Sequence, residues 1–270
     1  MTSQERTSAR LSAAARQIGY GVISSYHDYR AMFTWRSWVG GWLLRLTCQV
    51  LFFATLGKLM ADPGAEAYIA LGNAAVLGPL GTLGVVSSSV GERRSGTLQY
   101  LLVSRANPLL VIASRGLYWV ADGIITSCAV LTIMSVLIPG TVHSGALPGI
   151  LAIEVLLALC AYAMSLALAS LSLRRPGSRM YLTASTTIII LALAGVNTPP
   201  PAGGPWGVIG QLLPVRHGLQ AIRELAAGRP LPVGLVAGEL AVALGWAVLA
   251  YTGLTLTLRR NTRSGALSLS

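Results

Sequence analysis

An α-helix needs about 20 consecutive apolar residues to cross a hydrocarbon layer roughly 30 Å thick. This chain supplies such runs in six places: about Trp38–Met60, Ala67–Val90, Leu117–Ile138, Leu147–Leu171, Met180–Val196 and Val233–Leu256. No other feature of the sequence restricts the fold as strongly. In hydrocarbon only a helix or a closed barrel satisfies its own backbone, and runs this long suit helices. Composition agrees: 53% of the 270 residues are hydrophobic and only 11% are charged, where soluble domains carry about 25% charged residues. The expected fold is all-α and integral to a membrane. It has a six-helix bundle over residues 38–258, a polar amino-terminal segment over 1–37 and a short tail over 259–270.

Six spans put both termini on one side, and arginine decides which. Arg6, Arg10, Arg16, Arg30 and Arg36 precede the first span. Arg93, Arg94 and Arg105 follow the second, Arg174, Arg175 and Arg179 follow the fourth, and Arg259, Arg260 and Arg263 follow the last. The opposite face has Arg216, Arg223 and Arg229, all in its longest loop, and its two short loops, Ala61–Glu66 and Pro139–Ala146, have none. Positive residues stay inside, so both termini are expected in the cytoplasm of a bacterial cell, with the bundle in its inner membrane.

The formal net charge of +11 would suit nucleic acid in a soluble protein. Here the basic residues flank spans, where they meet anionic lipid instead, and no nucleic-acid partner is expected. Cys48, Cys128 and Cys160 fall in apolar runs without a CxxC pair and read as small buried hydrophobes. His27, His143 and His217 are scattered and have no metal-ligand spacing. No hydrolase or zinc-protease motif is present. The first thirty-odd residues lack the apolar core of a secretory signal, so none is expected.

Residues Ser8–Arg36 repeat Ile18, Val22, Tyr26, Tyr29 and Phe33 at three- and four-residue steps. That period predicts a helix lying in the membrane interface. Trp35, Trp38 and Trp42 follow at headgroup depth. Within the spans, Arg45, Asp122, Glu154 and Glu239 each cost roughly 2.5–3.5 kcal/mol to insert on translocon scales, so each is a functional candidate. Glu154 and Glu239 lie near outer ends and are expected to reach the interface. Arg45 and Asp122 both lie toward the inner side, where they either pair between the first and third spans or contact a substrate. Pro79, beside Gly78 and Gly81, predicts a kink. Gly72, Gly78, Gly81 and Gly84 predict close helix packing.

The connection after the second span reads Gly91-Glu92-Arg93-Arg94-Ser95-Gly96-Thr97-Leu98-Gln99-Tyr100-Leu101-Leu102. A charged triplet, a glycine turn and a capping Thr97 predict a short helix with Leu98, Leu101 and Leu102 on one face, stopped by Pro108. Such a helix either lies on lipid or docks in a groove of a soluble partner. After the fifth span, Thr198–Pro205 is too rich in proline and glycine for a helix. The moderately apolar Trp206–Gly228 then predicts an outer re-entrant or interfacial hairpin.

Glu92-Arg93-x-x-Gly96-Thr97-Leu98-x-x-Leu101-Leu102 resembles the signature of ABC-2-type transporter permeases. Leu213-Pro214-x-x-x-x-Leu219-x-x-x-Arg223-x-x-x-x-Gly228 resembles that family's outer hairpin. The amino-terminal helix resembles its cytoplasmic connecting helix, and the likeness is closest to drug and antibiotic exporter permeases. The family often has a third charged or polar residue before the glycine, a place that Arg94-Ser95 fills here.

The resemblance implies that Glu92, Arg93, Arg94, Gly96, Thr97, Leu98, Leu101 and Leu102 form a coupling helix docked on an ABC ATPase. It further implies two ATPase copies, a second permease copy or a sister permease, and a path between the halves lined by the first, second and fifth spans. ATP and Mg would sit on the partner, with no cofactor on this chain. The residues agree: a P-loop needs a lysine followed by Ser or Thr, and the one lysine, Lys58, is followed by Leu59. Aromatic residues are only 7% and the fifth span holds Tyr181 alone, which favours a small amphipathic or lipid-like substrate. A polysaccharide or glycolipid exporter, or a membrane enzyme or scaffold, is the alternative.

Overall fold

A computed structural model describes residues 3–60, 62, 64–103 and 106–264, with side chains for all of these except 3–11, 102, 103 and 261–264. The described residues contain helices and turns and no strand. α1 (Ser3–Met32) leads into α2 (Trp35–Ser37), a π-helical turn over Trp38–Leu43, and α3 (Leu44–Lys58). α4 (Ala65–Thr82), α5 (Gly84–Arg94), α6 (Thr97–Val103), α7 (Pro108–Arg115), α8 (Leu117–Leu137) and α9 (Leu147–Arg174) follow. α10 (Arg179–Leu193), α11 (Gly204–Gln211), α12 (Arg216–Ala226) and α13 (Val233–Ser264) complete the chain.

Five stretches are helical, long and apolar enough to cross a membrane: Trp35–Lys58, Ala65–Arg94, Pro108–Leu137, Leu147–Arg174 and Val233–Arg260. They mark a multi-pass membrane protein. The sixth expected span differs. Its helix, α10, has 15 residues, about 22 Å at 1.5 Å per residue, and stops where Gly195 turns the chain at φ +84°. The last helix passes the expected boundary at 258 and runs on to Ser264. Residues 265–270 of the expected tail, and Met1 and Thr2, lie outside the described residues.

Burial ranks the helices. In the Ala65–Arg94 helix 83% of the most apolar window is buried, against 11% in the last helix and 22% in the first. The second span is therefore the centre of the bundle, while α3 and α13 line its outside and expose Phe52, Leu244, Val248 and Tyr251. Cys48 is exposed on that outer surface of α3, against expectation, whereas Cys160 is buried. Small residues allow the tight centre. A methyl group on Gly81 would lie 3.0 Å from the Gly123 Cα, and one on Gly84 would strike the Trp119 ring. The central helix breaks at Leu83, between those two glycines and four residues past Pro79.

α1 lies along α7 and the start of α8. Gln17 Oε1 accepts the Asn107 N–H at 3.2 Å, and Gly21 sits against Ser114. Its buried face is made of the small residues Gly21 and Ser25, while Ile18, Tyr20, Ile23 and Tyr26 of the apolar side are exposed. Polar contacts tie the helices together at both ends of the bundle. Arg93 and Arg174 meet at one end, the first on the Leu173 carbonyl and the second on Thr257 Oγ1. At the other end the His143 turn bonds to the end of α12, through the Ala226 carbonyl at 2.8 Å.

Candidate functional site

Three polar constellations hold the sequence candidates. The first is the joint at the arginine-rich end. Gly96 adopts φ +75°, a left-handed conformation natural to glycine, and the chain turns there from α5 into α6. Thr97 opens α6, but its hydroxyl donates to the Glu92 carbonyl at 3.1 Å and lies 3.0 Å from Ser95 Oγ. It thereby closes the turn between α5 and α6.

Leu98 corrects the expectation most sharply. Its side chain is 1% exposed and packs with Ile112, Leu173, Leu254 and Leu258, flanked by Leu101 and Leu109. Leu98, and in part Leu101, are thus covered by the protein's own helices. What α6 leaves outward is Tyr100, 80% exposed, with Arg94 and Ser95 at its start. Leu102 belongs to α6, but its side chain, like Ser104 and Arg105, lies outside the described residues.

Two of the charged triplet are likewise turned inward. Glu92 Oε1 accepts Arg115 Nε at 2.9 Å, and Arg115 Nη2 reaches Asp28 Oδ2 at 2.7 Å. One arginine from α7 thereby ties α1 to the end of α5. Arg93 donates to the Leu173 carbonyl at the end of α9, where helices leave carbonyls unpaired. Arg94, the third of the triplet, is exposed. Asp28 and Arg115 were not singled out from sequence; they are separated by 87 residues, and no local spacing announces the pair.

The second constellation is the set of charges within the spans. Arg45 and Asp122 do not pair. Arg45 lies 4.8 Å from the Trp42 ring, while Asp122 Oδ1 accepts Trp38 Nε1 at 2.7 Å and the Tyr29 hydroxyl. Aromatic donors at the end of α1 and in the π-helical turn reach the carboxylate in place of the guanidinium. Burial first, and the bond to Asp122 second, raise the Tyr29 phenol above its ordinary value, so it stays a donor. Glu154 and Glu239 are each 0% exposed and do not reach an interface. Glu154 lies against Gly78 and Ser127. Glu239 Oε2 accepts the Gly218 N–H at 2.9 Å, and so caps the start of α12 from α13.

The third constellation is the outer hairpin. Pro214 separates α11 from α12, Leu219 is fully buried, and Gly228 (φ +75°) ends the hairpin against the His143 ring. Among the described residues Arg223, half-buried, pairs with neither Glu224 nor Glu239. Its guanidinium sits 3.5 Å from the Tyr68 ring centroid and donates to the Val196 carbonyl at 3.2 Å. Glu224 pairs with Arg229 instead, at 3.0 Å. Tyr68 also donates to the Gly195 carbonyl at 3.1 Å, and Asn73 bonds Asn197 at 2.7 Å. Tyr68, Asn73 and Asn197 escaped the sequence reading because uncharged polar residues near span ends carry no distinctive pattern.

Among the described residues no group of His, Cys, Asp and Glu is placed to hold a metal ion. What the geometry provides is mechanical: a short helix fixed to three longer ones at one end, and an arginine-centred clasp at the other. Comparison with protein-family models returns no match, and no curated protein matches the chain.

Proposed function

We propose that this chain is the membrane-spanning subunit of an ATP-driven exporter of the ABC-2 type, driven by a separate ATPase. The observation that supports it best is the build of α6. A soluble motor moves membrane helices only through an element that is rigid toward the membrane and open toward the motor. Leu98 and Arg93 fix α6 and its turn to the ends of α7, α9 and α13, and Tyr100 remains open. The coupling surface is therefore Arg94, Ser95 and Tyr100, while Leu98 and Glu92 transmit the motion inward.

In this reading the arginine-rich end faces the cytoplasm and both termini lie there. α10 makes the sixth crossing, with the irregular chain to Asn197 completing its 15-residue helix. Its start follows α9 at the arginine-rich end, and Gly195 and Asn197 bond to Tyr68 and Asn73 near the opposite end of α4. α1 is the interfacial connecting helix. α11, with Trp206, Val208 and Leu212 exposed, dips into the outer leaflet while α12 holds it to the bundle. The assembly takes a second permease copy or a sister chain and two ATPases carrying ATP and Mg, and its substrate is a small amphipathic compound such as an antibiotic or a lipid-like molecule.

The test is purification of the tagged full chain from its native membrane, with ATPase recovery and substrate efflux measured together. Tyr100→Asp should abolish ATPase recovery and efflux while the chain still inserts. Recovery of the same ATPase by wild type and Tyr100→Asp, or of none by wild type, refutes the reading.

A further inference from the structure

A cavity of about 340 Å³ opens between the end of α1, α2 and the first turns of α8. Ligand sites run from about 300 to 1,000 Å³, so it suits a small group. Six aromatic side chains line it: Tyr26, Tyr29, Phe33, Trp35, Trp38 and Tyr118. The rings hold one another in place. Tyr29 packs on Phe33 and Tyr118 at 5.1 and 5.3 Å between centroids, and Trp35 stacks on Trp38 at 6.0 Å.

Two charges face this ring wall. Asp122 is 8% exposed and lines the cavity. Its Oδ1 takes both available donors, Oδ2 accepts none among the described residues, and no ion pair among them neutralises it. Opposite in sign, Arg30 lines the exposed side, 5.9 Å over the Tyr26 ring and 3.2 Å from its hydroxyl. A buried carboxylate with a spare oxygen among aromatic faces attracts an ammonium group. A lone cation would meet Arg30, and a purely anionic group would meet Asp122. A zwitterion satisfies both. Exposed Ile23, Met32 and Trp35 stand on the same segments, where an apolar tail can lie at the headgroup depth that tryptophan favours.

We infer that this cavity holds the head group of an amine-bearing zwitterionic phospholipid, its ammonium against Asp122 within the aromatic wall and its phosphate at Arg30. The site requires only that the protein lie in a membrane and stands apart from the exporter reading. Lipid bound there fastens α1 to the bundle where α1 meets α8, through the lipid's own two charges.

The test is native mass spectrometry of the purified full chain, titrated in separate arms with phosphatidylethanolamine, phosphatidylglycerol and dodecyltrimethylammonium. Wild type should retain one phosphatidylethanolamine, and Asp122→Asn should weaken that binding at least tenfold. Trp35→Ala removes an exposed wall residue, so it tests the site even where Asp122→Asn fails to fold, and should weaken binding in the same direction. Arg30→Gln should weaken phosphatidylethanolamine and spare dodecyltrimethylammonium. Unchanged phosphatidylethanolamine affinity in both Asp122→Asn and Trp35→Ala overturns the inference. So does phosphatidylglycerol binding as tightly as phosphatidylethanolamine. Retention of dodecyltrimethylammonium without phosphatidylethanolamine also overturns it, and identifies a site for free amphipathic cations instead.

Discussion

Leu98→Ala separates two roles that a short amphipathic helix can have. If Leu98 were a docking anchor for another protein, its loss would leave this chain's own stability unchanged. The structure instead buries it to 1% among Ile112, Leu173, Leu254 and Leu258, from α7, α9 and α13. Truncating a buried leucine costs about 2–5 kcal/mol, depending on how far the site collapses. Three separate helices wall this site, so collapse is partial and about 3 kcal/mol is expected. For a chain of this size that corresponds to a melting temperature lower by roughly 6–12 °C. A thiol-reactive dye in detergent provides the assay in a background with Cys48 and Cys128 replaced by serine, because Cys160 is buried and becomes reactive on unfolding. Tyr100→Ala, at a side chain 80% exposed, should melt within about 1 °C of wild type, as surface changes generally do. The reasoning fails if Leu98→Ala melts with the wild type, or if Tyr100→Ala is the more destabilised of the two.

Cysteine placed at Ser95 and at Gly203 should report opposite sides of the membrane in intact cells. An impermeant thiol reagent is expected to label 203 and leave 95 untouched, and the reverse result overturns the orientation. Gly78→Ala should destabilise strongly, because its methyl carbon would lie 2.3 Å from Glu154 Oε1. Gly91→Ala meets open space on a helix and should stabilise by about 0.5–1 kcal/mol; equal melting curves for the two alanine variants would refute that contrast. Arg223→Lys keeps the charge but loses the planar group over Tyr68, and should cost about 1–2 kcal/mol. Tyr68→Leu should remove most of the difference between arginine and lysine at 223, and an undiminished difference in a double-mutant cycle speaks against the stacking.

The apolar runs were legible because membrane thickness converts directly into a count of residues, and five of them became long helices. Met180–Val196 did not reach full length because Gly195 takes a left-handed turn that hydropathy does not register. The partners of the polar residues were missed for a shared reason. Sequence placed Arg45 and Asp122 at similar depth, but depth along a helix does not give azimuth around it, and Tyr29 and Trp38 were the donors on the facing side. Leu98 and Leu101 formed the face that spacing predicts, yet a leucine stripe looks the same whether a partner or the chain itself covers it. Glu154 and Glu239 were recognised as costly residues, but their cover comes from α4, α8 and α12, whose approach depends on Gly78 and Gly218 across long sequence separations.

The attachment of α10 sets which parts of the molecule can travel. Only Thr186 and Ile190 of its 15 residues are buried, whereas the chain just beyond its end is gripped through Gly195, Val196 and Asn197 by Tyr68, Arg223 and Asn73. A rod gripped at one end and thinly buried along its length is expected to pivot about the grip, within the slack of the short turn Pro176–Ser178 that joins its start to α9. Met180 and Tyr181, just past that turn, are both exposed. The deeply packed α4 then serves as the stator against which that swing is measured, so a spectroscopic label at Tyr181 would travel farther than one at Ala194.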